Sequence, residues 1–324
     1  MRIDVHNHAI PERALDLVRS EPAYRTRVED GWFQRGGASF RIAPSFRDPR
    51  AKLAELEAKG LDAAVVSAAP PLFFYDVDAE AGEALCRATN DGLREFAAAH
   101  PDRYRWMAHV PLAAPERAAA VLREAVAAGA VGVEVGTSIA GRRLDEEDFE
   151  PFWTAAEALG VPVMLHPAYN EANRGLDPFY LQNVIGNLLE TTIAGERLIC
   201  AGVLDSHPRL RVLLVHGGGY YPFQAGRLRH AATVRPELDS APRDPLAYRG
   251  QVLVDTITQD VESLRFLLHR MGAENVVLGT DLPFDMATPE PVAELEAAAD
   301  AGTVRTVAEH NPARLFGFAA DPPR

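Results

Sequence analysis

Cysteine is scarce in this chain. Cys86 and Cys200 are the two among 324 residues, far apart and without CxxC spacing. No disulfide framework is expected, and both read as reduced thiols of a cytoplasmic protein. Positive charge is also in short supply. Lys and Arg number 33 against 46 Asp and Glu, a formal net charge of −13. That balance disfavours nucleic acid and anionic membrane surfaces as partners. It still permits an anionic substrate, because a local cation or metal overrides the global field. No apolar run approaches 18 residues, and the N-terminus lacks a basic stretch followed by an apolar one, so neither a membrane span nor a secretion signal is expected. A Gly-rich phosphate fingerprint, an internal repeat, a low-complexity tract and a linker are missing as well.

What is present is regular. The chain is 47% apolar and 24% charged, ordinary for a globular protein. Eight short β-rich runs fall at 2–5, 63–67, 105–108, 131–135, 161–165, 211–215, 252–256 and 276–279. Alanine-rich amphipathic stretches at 50–59, 79–99, 116–128, 146–159 and 261–271 separate most of them. Strand alternating with helix eight times predicts the α/β class and a (β/α)8 TIM-like barrel. Gly60, Gly129 and Gly160 each stand between a helical stretch and a strand, the usual helix-ending position. Residues 20–46 break the alternation and read as a small insertion after the first strand, covering the barrel mouth. A second excursion, 167–187, leaves the end of the fifth strand. One domain spanning 1–324 is the expectation.

Metal-seeking side chains gather at the strand ends. His6 and His8 lie two apart on the first strand, so period-2 geometry points both to the same side. His166 closes the fifth strand and Asp281 closes the eighth. Three imidazoles and a carboxylate suit one divalent ion, Zn²⁺ first, with Mn²⁺ as the alternative. His216 heads a Gly217-Gly218-Gly219 turn. Histidine is the side chain most easily poised for proton transfer near neutral pH, so His216 is read as a general acid/base, with Asp281 assisting. His109, Tyr169, Asn170, Arg174 and Phe284 are candidate pocket walls. Glu134 and Asp255 lie within strands and need a partner. Ion pairing or packing elsewhere is the main expectation for both, and orientation of a metal ligand the other.

These residues carry a resemblance. The chain resembles the amidohydrolase superfamily, in the branch typified by aminocarboxymuconate semialdehyde decarboxylase. Ile3-Asp-Val-His-Asn-His8, His166-Pro167, Glu190-Thr-Thr-Ile-Ala194, His216-Gly-Gly-Gly219 through Gly226-Arg227, Gly279-Thr-Asp-Leu-Pro-Phe284 and Asn311-Pro-Ala-Arg-Leu-Phe-Gly317 match it. The resemblance implies a single Zn²⁺ held by His6, His8, His166 and Asp281, with His216 as the acid/base. It also implies a homodimer in which Arg227 reaches the neighbouring subunit's site and binds a substrate carboxylate. Two positions depart from the typical decarboxylase. Ala43 stands where it has an arginine, with Arg41 or Arg47 as the compensating candidates, and Ala168 where it has a tryptophan. Both shape the pocket, so a different substrate is expected. The reaction expected is non-oxidative decarboxylation of a small unsaturated or aromatic acid. Hydrolysis of an amide, lactone or C–C bond, or hydration, is the alternative on the same residues. A non-enzymatic role would require this intact set to be vestigial.

Overall fold

The computed structural model describes residues 1–36, 38–168, 175–238, 241 and 244–319. The eight expected strands form one parallel sheet. They are β1 (Ile3–Ala9), β5 (Ala63–Ala68), β6 (Tyr104–His109), β7 (Gly132–Gly136), β10 (Val163–His166), β11 (Val212–Leu214), β12 (Val252–Asp255) and β13 (Val276–Val277), paired in that order. The ring closes where β1 meets the segment after β13. Val5 N–H donates to Leu278 O at 3.0 Å, and His8 N–H to Leu282 O at 2.8 Å. Helices lie between successive strands, giving the (β/α)8 barrel that the alternation predicts.

The interior is apolar below the rim. Ile3, Val5, Val65, Met107, Met164, Leu213, Leu253 and Val277 pack against each other, with Phe316 and Phe318 of the C-terminal segment joining them. The outward-facing residues of the strands join the helices in a second, larger core that includes Phe149, Phe152 and Trp153. Strands buried on both faces explain why the eight runs are nearly continuous in apolar residues.

Residues 20–46 hold an unexpected element. β2 (Thr26–Glu29), β3 (Trp32–Arg35) and β4 (Ala38–Arg41) form an antiparallel sheet. Asp30 and Gly31, with φ of 51° and 76°, make the β2–β3 turn. An Asp-Gly pair between such runs is a hairpin signal, outweighed here by the polar look of the segment. A short two-stranded ribbon, β8 (Ser138–Ile139) with β9 (Arg142–Arg143), follows β7. Helix Glu150–Leu159 ends at Gly160 with φ 69°, as the glycine suggests.

Candidate active site

The first strand needs an irregularity to present its histidines. Ile3 and Val5 face the barrel interior, so strict alternation would point Asn7 inward. A bulge intervenes. Asp4 pairs with Ala64 but Asn7 with Val66, three residues against two. The phase flips, and His6 and His8 turn inward while Asn7 faces out.

The four expected ligands come together. One donor atom from each of His6, His8, His166 and Asp281 lies within 4.8 Å of the others, and all four residues are buried. His6 Nε2 is 3.1 Å from His8 Nε2 and 3.5 Å from Asp281 Oδ1; His8 Nε2 is 3.1 Å from the same oxygen. His166 Nε2 lies 3.9 Å from it and is buried without a hydrogen bond among the described residues. Bonds of about 2.0–2.1 Å to a tetrahedral ion put ligand atoms about 3.3 Å apart. The spacing therefore fits one small divalent cation.

The tautomers agree. His6 Nδ1 is 2.7 Å from Asp255 Oδ2, so it carries the proton and leaves Nε2 as the free lone pair. His166 Nδ1 donates likewise to Pro167 O at 2.7 Å. His8 Nδ1 faces Ser67 Oγ at 3.4 Å and Glu134 Oε1 at 3.8 Å. The electrostatics ask for positive charge. Burial opposes it, but Asp255, Asp281 and Glu134 together raise His6 to about 9. Burial lowers His8 to about 4 and His166 well below its ordinary value. Burial also works against ionised Asp281, yet His166, His216, His8 and His6 hold it well below the usual carboxylate range.

Asp281 is not at the end of a strand. β13 stops at Val277, and Asp281 lies four residues on with φ 68°. Its N–H donates to His6 O at 2.9 Å, which locks it to β1. Gly279 permits this approach, because a Cβ there would stand 2.9 Å from His6 Cβ and 3.0 Å from that of Asp255.

His216 sits beside the set. Its ring centroid is 5.2 Å from that of His6 and 5.1 Å from that of His166, and its Nε2 is 3.5 Å from Asp281 Oδ2. The other oxygen of Asp281 faces the histidine nitrogens. One carboxylate thus faces the ligand cradle on one side and the proton-transfer candidate on the other.

The remaining expected residues divide. Phe284 lies 5.3 Å from the His8 ring and joins Phe46 and Phe40, so the small sheet reaches the site through aromatic contacts. His109 points inward beside Glu134 but pairs its ring with Phe73; burial lowers it to about 4. Arg47 is not brought to the cluster: half-exposed, it pairs with Glu12. Arg41 and Arg227 are exposed, Arg227 on helix Tyr221–Val234. Tyr169, Asn170 and Arg174 lie outside the described residues. Asp255 departs from its main expectation, because its partner is the ligand His6.

A buried network behind β1 has no counterpart in the sequence reading. Lys52, fully buried, donates to Asn7 Oδ1 at 2.6 Å. Asn7 Nδ2 and Thr280 Oγ1 both donate to Asp4 Oδ2 at 2.6 Å. Burial lowers Lys52 to about 7 and raises Asp4 to about 6. A lysine among alanines and acids gives no sequence signal of burial.

Known proteins share this architecture. The chain is 29% identical over 307 residues to 2-amino-3-carboxymuconate-6-semialdehyde decarboxylase of Dictyostelium discoideum, covering 90% of this chain and 84% of that one. It is 30% identical over 264 residues to gamma-resorcylate decarboxylase of Rhodococcus jostii, covering 74% and 78%. The 5-carboxyvanillate decarboxylase of Novosphingobium aromaticivorans, in complex with manganese and 4-hydroxy-3-methoxy-5-nitrobenzoic acid, superposes with a TM-score of 0.80 at 22% identity, covering 98% of this chain and 96% of that one. The amidohydrolase family model matches residues 3–318, so the chain belongs to the amidohydrolase family.

Proposed function

We propose that this enzyme removes CO₂ non-oxidatively from a small aromatic or unsaturated carboxylic acid, with a divalent cation held by His6, His8, His166 and Asp281. The observation that carries the reading is Asp281, whose Oδ1 faces the histidine nitrogens while Oδ2 lies 3.5 Å from His216 Nε2. Decarboxylation of a conjugated acid needs a proton at the carbon bearing the carboxylate, followed by loss of CO₂. His216 and Asp281 form the pair that would supply that proton at the rim. The carbon becomes tetrahedral and conjugation is interrupted. The C–C bond then breaks, and its electrons restore the conjugated system. A cation bound in the cradle would supply a Lewis acid to a substrate oxygen. Zn²⁺ is the first choice by donor type and Mn²⁺ the alternative, the latter supported by the manganese in the carboxyvanillate decarboxylase.

Phe284 beside His8 offers an aromatic wall for a flat substrate, and the sheet of residues 20–46 supports it from behind. The decarboxylases of gamma-resorcylate and 5-carboxyvanillate act on aromatic acids, which favours that substrate class. Arg227 is a strong, fixed cation with an exposed position, suited to a carboxylate in a second copy's site. Exposed Phe179, Tyr180 and Phe223 support a homodimer. The free thiols Cys86 and Cys200 support a cytoplasmic location.

The test is purified protein loaded with Zn²⁺ or Mn²⁺ and offered a panel of hydroxylated benzoic and unsaturated acids in D₂O. Release of CO₂ with one deuterium on the vacated carbon is expected. A parallel run in H₂¹⁸O that places ¹⁸O in the product without release of CO₂ would instead establish hydrolysis. His216→Asn should lower kcat by about 10²–10⁴ while metal content stays unchanged.

A further inference from the structure

Asp255 gives the ligand cradle and the His216 turn a second connection, besides the one through Asp281. It is fully buried at the C-terminal end of β12. Its Oδ2 accepts the Nδ1–H of His6 at 2.7 Å and the backbone N–H of His216 at 3.0 Å. Its Oδ1 accepts the N–H groups of Gly217 at 2.7 Å and Ile257 at 3.1 Å. Four donors on two oxygens require a carboxylate. An amide in its place would turn an NH₂ toward two of those N–H groups.

The donors belong to a turn that needs holding. His216 has φ 56° and ψ 53°, and Gly217 follows with φ 64°. A side chain with a Cβ rarely adopts that region, so the turn persists only when its surroundings over-determine it. Asp255 supplies two of the bonds that do so. The turn is tightly seated: a Cβ on Gly218 would come within 2.7 Å of Val254 Cγ1.

We propose that Asp255 is a positioning residue that couples the ligand cradle to the proton-transfer turn. A cation on Nε2 fixes the His6 ring with Nδ1–H toward Asp255. That holds Oδ2 where it also receives the His216 N–H. The pose of His216 and occupancy of the cradle then stabilise each other reciprocally. The inference rests on the cradle binding a divalent ion, as proposed above.

The experiment uses the full chain and Mn²⁺ or Zn²⁺, with no substrate. Metal affinity is measured by titration calorimetry, and amide exchange by mass spectrometry on peptides spanning 212–219 and, as reference, 132–136. In the native protein, metal should slow exchange at the His216–Gly217 turn at least tenfold more than in the reference strand. Asp255→Asn should bind metal about 10–100-fold more weakly. At saturating metal it should no longer show the extra slowing. A purely structural role would lower the melting temperature and move neither reading. A folded Asp255→Asn protein that binds metal within twofold of the native one overturns the coupling. So does native protein whose turn slows no more than the reference strand, a measurement that needs no variant. Failure of the native chain to bind either ion would instead sink the metal reading and this inference with it.

Discussion

Histidine is one letter in the sequence, and its surroundings separate the roles. His6 and His166 each give Nδ1–H to a fixed oxygen and keep Nε2 for the cradle. The types at the strand ends make those residues legible, because imidazole and carboxylate at recurring strand ends have few uses besides a metal. Asp255 is not legible in the same way, since its bond to His6 spans 249 positions and exists only once the barrel closes. Among the described residues His109 has no such partner: its Nδ1 is buried without a hydrogen bond there, and burial lowers it to about 4. An unfolded histidine binds its proton below about 6.5. Between there and 4 the unfolded state holds more protons than the folded one, so stability falls as pH falls through that window. Glu134, raised to about 8 by burial, acts in the opposite sense, losing stability as pH rises from about 4.5 toward 8. His109→Met should shrink the stability loss between pH 7 and pH 5 by about 2 kcal/mol in urea denaturation. An unchanged loss would assign that slope to another group. Gly279→Ala tests the close approach at the cradle. Its Cβ would press on His6 and Asp255, and metal binding should weaken at least about tenfold with stability down by about 1–3 kcal/mol.

At the scale of elements, β1 is the decisive strand. Period-2 reading aligns His6 with His8, and the structure agrees; the bulge that turns both inward leaves no mark in the composition of the segment. It is held by a polar network that the sequence hides, because Lys52 lies on helix Pro49–Ala58 amid residues typical of an exposed face. Lys52 and Asp4 are both buried and joined through Asn7, so removing the cation leaves a carboxylate in a dry setting. Lys52→Met should cost about 3–5 kcal/mol. Adding Asp4→Asn to that variant should recover part of it, a coupling that a double-mutant cycle measures. Strict additivity would mean the two groups do not sense each other. The strands 26–41 were hidden for another reason. Only one face is covered, at Phe33, but Trp32 puts an apolar residue on the exposed face and so blurs the alternation that such a strand would otherwise show. The same covered face carries the contact from Phe40 to Phe284.

The whole molecule presents apolar surface of an unusual kind for so acidic a chain. Phe179 is 89% exposed and Tyr180 52%, with Val184, Ile185 and Phe223 also open to solvent. Phe223 stacks on Phe266 at 5.1 Å, at the start of the helix that carries Arg227. Apolar residues gathered on neighbouring segments mark an interaction site more often than chance exposure. In the two-fold dimer proposed above, the same patch would meet itself and Arg227 of each copy would serve the other copy's site. Sedimentation should then report twice the chain mass of 35.3 kDa. The borrowed residue can be tested by mixing inactive variants. Arg227→Ala lacks the borrowed cation, and His216→Asn lacks the local acid/base. A mixed dimer of the two has one site with the native His216 and the native Arg227 of the other chain, and one site with neither. Random reassociation makes half the dimers mixed, so equal mixing should restore about one quarter of native activity. Each variant alone should stay near its own low rate. No recovery after verified exchange of subunits would mean that Arg227 serves its own site, or none.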